Sequence, residues 1–96
     1  MFDKLFEARQ KAEEIKKRMD QTIVTGEAEG GVIKVTATAN KEVTNVFIDQ
    51  VFLSKADKEE IEELLAVAIN HAMRQADSIS QAEAQAITRD LLDKYR

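Results

Sequence analysis

Around residue 21 the apolar residues of this chain change their spacing, and that change limits the fold more than any other feature. Over residues 1–20 they recur at Leu5, Ala8, Ala12, Ile15 and Met19. This strict alternation of three and four is the repeat of a helix with a coiled-coil-like seam. Glu7 with Lys11, Glu13 with Lys17 and Glu14 with Arg18 add i,i+4 pairs in the favourable order, each worth roughly 0.2–0.5 kcal/mol. From Thr22 onward β-branched residues take over in three runs, TIVTGEA, GVIKVTATA and EVTNVFID. Glu29-Gly30-Gly31 separates the first two and Asn40-Lys41-Glu42 the second two, both short enough for hairpins. The pattern predicts a helix followed by an antiparallel three-stranded meander over residues 22–49.

Beyond the meander, Ser54, Asp57 and Glu60 stand three apart, the spacing of a helix N-cap and its reciprocal partner. No glycine or proline follows. Ile61, Leu65, Ala68, Ala72, Ala76 and Ile79 hold one helical face, which then thins to alanines with Ile87, Leu91 and Leu92. Residues 55–94 are expected to form one long helix or two. A single helix would reach about 50 Å, so its far end must project or pack on a partner. The predicted fold is α+β, an α-β-β-β-α order in one domain over residues 1–96.

The strand runs do not alternate cleanly. Ile33, Val35, Ala37 and Ala39 share one face, Val32 lies on the other, and Val43 and Phe47 alternate with Val46 and Ile48. Both sheet faces are therefore expected to be partly buried. Two helices could cover one, and a second copy of the chain is the simplest cover for the other. Ile33, Val35, Val46, Phe47 and Ile48 are the candidate dimer interface.

Composition removes several classes of function. There is no cysteine and only one histidine, His71, so thiolate metal sites, disulfides and Cys/His nucleophile pairs are excluded. No phosphate loop, Ser-His-Asp set or HExxH motif is present, and neither a catalytic site, a metal, a cofactor nor a small-molecule substrate is expected. Gly30-Gly31 leads into a strand rather than a helix, which makes it a turn and not a dinucleotide loop. His71 and Asn70 receive no function. With no apolar run near 18 residues and charges from Asp3, neither a membrane span nor a secretory leader is expected, and the cytoplasm is the expected location.

The formal net charge is −4, which argues against a uniformly basic surface. Distribution is more informative, with six Lys/Arg against five Asp/Glu in residues 1–20 and five against nine in residues 57–96. On a heptad wheel with Leu5 at a, Arg9 and Lys16 fall at e, Lys4, Lys11 and Arg18 at g, and Lys17 at f. These basic rows flank the seam. They either cover it and pair with the acidic start of the last helix, as e and g positions commonly do, or face phosphates. Arg89, Lys94 and Arg96 at the far end either satisfy the helix dipole or do the same. The five aromatics do not interleave with the bases, so stacking on single strands is not expected.

Taken together, Val24-Thr25-Gly26-Glu27, Gly30-Gly31 before residues 32–36, Val46 to Asp49, and residues 57–72 with Leu64-Leu65 and Asn70 resemble the YbaB/EbfC family of small nucleoid-associated proteins. Glu29 stands where the family often has the first of three glycines, and Gln50 where proline is common. The resemblance implies a homodimer whose sheets form a body and whose helices project as tweezer-like arms about duplex DNA in the nucleoid. On that basis Arg9, Lys16, Lys17, Arg18, Arg89, Lys94 and Arg96 are the candidate DNA contacts. The alternative is a dimeric protein-interaction or scaffold module with its basic rows satisfied internally.

Overall fold

The structure is a computed structural model that describes residues 2–94. Helix α1 (Phe2–Gln21) leads into strands β1 (Ile23–Ala28), β2 (Ile33–Thr38) and β3 (Val43–Ile48), then a short helix α2 (Gln50–Lys55) and the long helix α3 (Lys58–Lys94). The strands form one antiparallel sheet in the order β1-β2-β3, so the helix, meander and long helix stand as the patterning predicts. Helix α2 is additional. Asp49 caps it, its carboxylate accepting from the Phe52 amide at 3.0 Å, and it ends one turn later where the Ala56 amide donates to the Phe52 carbonyl. Asp57 then caps α3 by accepting from the Glu60 amide at 2.8 Å. Of the two open readings, one helix or two, the chain adopts one of 37 residues, about 55 Å long.

The hairpin between β1 and β2 turns through Glu29, Gly30 and Gly31, whose φ values are +51°, +66° and +96°. Three consecutive left-handed residues explain the glycine pair. The other hairpin registers Thr36 against Asn45 and Ala37 against Val43, leaving Thr44 as a bulge residue that sharpens the local twist.

The core lies between one face of the sheet and α3. Val24, Gly26 and Ala28 on β1 sit opposite Ala37, Val35 and Ile33 on β2, and α3 lays Ala68, Ala72 and Ala76 across them. A helix with alanine at every fourth position can approach closely, and here the approach is extreme. A β-carbon on Gly26 would lie 1.9 Å from the Ala68 carbonyl oxygen and 2.5 Å from the Ala72 amide nitrogen. Glycine inside a strand marks such close contact between backbones.

Two expectations are corrected here. Ile33 and Val35 are wholly buried inside the single chain, each contributing about 1.5–3 kcal/mol of hydrophobic stabilisation to its own core, and have no surface to offer a second copy. The expected cover of one sheet face by both helices is also revised. Only α3 lies along the sheet, while α1 meets its end through Met19, which is buried and whose carbonyl accepts from the Ala39 amide at 3.2 Å. Further up α1, Ile15 is half-buried and Ala12, Ala8 and Leu5 are exposed. The opposite sheet face carries Thr25, Glu27, Lys34, Thr36 and Asn45 together with Ile23 and Phe47, so it is more polar than the two-faced reading anticipates.

The molecule measures 63 × 19 × 16 Å with a radius of gyration of 18.4 Å, against about 13 Å for a compact domain of this length. The excess is an arm formed by α1 and the C-terminal half of α3.

Candidate nucleic-acid interface

Ion pairs set the register of the arm. Glu7 pairs with Lys94, Lys11 lies 3.9 Å from Asp90, and Arg18 donates to Glu83 at 2.6 Å. Each advance along α1, by four residues and then by seven, is matched by an equal retreat along α3, so the two helices run antiparallel in a single register. Steps of four and seven also keep the row on one side of each helix. Lys94 beside Glu7 holds that carboxyl below the ordinary glutamate range, chiefly through the hydrogen bond between them.

The β2–β3 turn fastens the arm at its root. Asn40 donates to the Lys16 carbonyl at 3.1 Å and to the Asp20 side chain, and its neighbour Lys41 pairs with Asp77 on α3. Two adjacent residues of one turn thereby hold both helices.

This arrangement sorts the sequence-predicted DNA contacts. Arg9, Lys16, Lys17 and Arg89 are exposed, and among the described residues none of the four has an ion-pair or side-chain hydrogen-bond partner. Arg18 and Lys94 are held by carboxylates instead, and Arg96 lies outside the described residues. The cations do not gather into one cluster. By the register, Lys16, Lys17 and Arg18 stand at the root, Arg89 level with Ala12, and Arg9 and Lys94 toward the tip, a spread of roughly 16 Å along the arm. Lys11 is paired, as the internal reading of the basic rows expects, but with Asp90 rather than with the acidic start of α3. The i,i+4 pairs expected along α1, Glu7 with Lys11, Glu13 with Lys17 and Glu14 with Arg18, are replaced by the pairs to α3, which leave Lys17 open. Residues 57–63 sit at the other end of α3, roughly 35 Å from the arm's middle.

Charge follows the same division. Residues 2–20 and 80–94, the arm, carry eight Lys/Arg against eight Asp/Glu, whereas residues 21–79 carry five against ten. The chain's negative charge resides in its body.

The two sheet edges differ. Along β1, Gln75 of α3 donates to the Thr25 carbonyl at 2.7 Å and accepts from its amide at 3.4 Å, and His71 Nδ1 accepts from the Glu27 amide at 3.2 Å. These side chains occupy the backbone groups that another strand would use. Strand β3 has no such cover, and every residue from Val43 to Phe47 is exposed. Val46 and Phe47 are 44% and 47% exposed, and Val51 and Leu53 of the adjoining α2 are exposed as well. Of the predicted dimer residues, Val46 and Phe47 are on this open edge and Ile48 is half-buried at its end.

Sequence reasoning did not find the Gln75 and His71 clasp, because residues 50 and 44 positions apart in sequence share no periodic signal. Gly26 did carry a signal, as a glycine inside a β-branched run facing alanines at i,i+4 spacing. Among the described residues no cluster of three or more potential metal ligands occurs, and no helix is long and apolar enough to cross a membrane.

Known proteins share both the sequence and the fold. The chain is 37% identical over 89 residues to a nucleoid-associated protein of Flavobacterium johnsoniae, covering 93% of this chain and 82% of the relative. It is 38% identical over 88 residues to a nucleoid-associated protein of Bordetella avium, covering 88% and 81% respectively. The crystal structure of an uncharacterized protein from Helicobacter pylori shares the fold, with a TM-score of 0.79 at 20% identity over 91% of this chain and 92% of that one. The sequence pattern of the YbaB/EbfC DNA-binding family matches residues 1–91, and the chain belongs to that family.

Proposed function

We infer that this chain is a non-enzymatic, nucleoid-associated protein of the cytoplasm that grips duplex DNA along its two-helix arm through phosphate contacts, with little reading of base sequence, and works as a homodimer joined at β3. The observation that carries this reading is the set of four exposed and unpaired cations, Arg9, Lys16, Lys17 and Arg89, spaced along the arm of a chain from a DNA-binding family. Phosphate contacts position a protein on DNA without conveying sequence. The acidic body is kept away from the backbone because its charge lies at the opposite end of α3 from the arm tip. A neutral arm makes for modest affinity with a strong dependence on salt. Pairing across β3 would hide its open edge and its apolar side chains.

The test is fluorescence anisotropy with several unrelated duplexes at about 50 and about 200 mM salt, a window over which multiple phosphate contacts cost orders of magnitude in affinity. Equal affinity across sequences is expected. Lys16→Gln/Lys17→Gln should weaken binding to all of them alike and reduce the slope of log K against log salt by about 0.9 for each phosphate no longer neutralised. Absence of binding at the lower salt would overturn the reading.

That outcome would favour the second reading, a dimeric scaffold for a protein partner. Its support is the exposed upper seam of α1, where Leu5 is 65% exposed and Ala8 and Ala12 are exposed as well.

A further inference from the structure

We propose that Glu83, Asp90 and Glu7 are built-in competitors of DNA, holding Arg18, Lys11 and Lys94 in intramolecular ion pairs that a phosphate must displace before it reaches those three cations. The proposal rests on the DNA-binding reading above and adds to it a means by which the arm limits its own affinity.

Three observations support it. First, the pairs share one register on one side of each helix, so they form a ladder rather than scattered contacts. Second, they remain open to solvent. The Arg18 side chain is 59% exposed against 25% for Glu83, the most covered of the six, Lys11 and Asp90 are 45% and 66%, and Glu7 and Lys94 are 50% and 49%. Exposed pairs of this kind are individually weak, whereas a phosphate offers arginine a charge-assisted, often bidentate bond and lysine a charge-assisted contact. Exchange of partners therefore needs no unfolding. Third, the arm's eight cations are matched by eight carboxylates, so a cation that changes partner joins the four already open to phosphate while the arm's own net charge stays balanced. The four unpaired cations set the affinity of the native chain, and the ladder holds three more in reserve.

The experiment compares the native chain with Glu83→Gln/Asp90→Asn and with Glu13→Gln/Asp93→Asn, by anisotropy on one duplex across a salt series. The second variant loses the same charge from the same arm, but from carboxylates outside every ion pair among the described residues. Glu83→Gln/Asp90→Asn is expected to bind about tenfold more tightly at about 50 mM salt, with a salt slope steeper by up to about 1.8, near 0.9 for each freed cation. The charge-matched control should gain less and keep the native slope. Arg18→Gln should leave native affinity within about twofold, yet remove a large part of the gain when added to Glu83→Gln/Asp90→Asn, a coupling that net charge alone does not produce. Circular dichroism follows the arm's helicity throughout. Should the double variant lose helix, Glu83→Gln alone keeps two pairs and is expected to show half the slope change. Equal gains in both charge-matched variants, or no gain where the native chain binds, would overturn the proposal and leave the DNA reading intact. No binding by any variant at about 50 mM salt would overturn both.

Discussion

Replacing Gly26 with alanine tests the packing on which the whole body depends. The added methyl would lie 1.9 Å from the Ala68 carbonyl oxygen, 2.5 Å from the Ala72 amide nitrogen and 3.1 Å from the Ala68 carbonyl carbon. Comfortable contact between heavy atoms needs about 3.5–4.0 Å, so α3 must retreat by roughly 1.5 Å. All three obstacles are main-chain atoms of a hydrogen-bonded helix, and no side-chain rotation relieves them. A retreat would also lift Ala68, Ala72 and Ala76 off Val24, Ile33 and Val35, opening gaps across the core. Overpacking alone costs about 1–3 kcal/mol, and looser packing beneath three alanines places Gly26→Ala at or above the upper end, about 3 kcal/mol. For a small domain that is a large share of the ~5–15 kcal/mol available. Urea unfolding followed by far-ultraviolet circular dichroism, at fixed protein concentration because the proposed pairing at β3 would contribute to stability, should show the midpoint falling by about 1–3 M. Gly30→Ala is the internal control. Its added methyl meets nothing within 4 Å and only the left-handed φ of +66° opposes it, a cost of about 1–2 kcal/mol. A Gly26→Ala protein within about 0.5 kcal/mol of native, or more stable than Gly30→Ala, would refute the close-approach argument.

Other consequences can be measured on the same protein. Gln75→Ala removes two bonds to Thr25 and should cost about 1–2 kcal/mol, with faster hydrogen exchange at the Thr25 and Glu27 amides; unchanged exchange would show that the clasp does not guard the edge. Val46→Lys/Phe47→Lys puts two charges on β3 and should convert a dimer to a folded monomer in analytical ultracentrifugation, and a native chain already monomeric would remove β3 as an interface. The Glu7 carboxyl, lowered by Lys94, contributes its contact fully above the ordinary glutamate range and loses it as pH falls through the lowered value. An NMR titration should accordingly find its midpoint below that of an unfolded-state glutamate, and a midpoint at or above it would mean that the pair does not persist in solution.

Local physics made most of the architecture legible. The alternation of three and four over residues 5–19 and the change to β-branched runs at Thr22 each depend only on neighbours in sequence, so α1, the meander and α3 could all be placed. Asp57 announced the start of α3 by its spacing to Glu60. Helix α2 escaped because one turn offers no room for a period to show. The carboxylate of Asp49 three residues before Phe52 was its only mark.

The candidate site was legible in composition but not in arrangement. Lysines and arginines beside the seam could be named, yet whether each meets a carboxylate or solvent depends on how two helices 60 or more residues apart are aligned. That register released Arg9, Lys16, Lys17 and Arg89 and tied up Lys11, Arg18 and Lys94. The sheet behaved likewise. Strand alternation grouped Ile33 with Val35 and Val46 with Ile48, but only the register set the two pairs side by side, and only the path of α3 decided that the first two lie under the helix while β3 remains open. By itself the sequence determined which elements exist, because backbone geometry answers to local spacing and capping. Which faces are buried, which edge is closed and which charges are free were decided by tertiary contacts, because burial and pairing are properties of residues brought together across the fold.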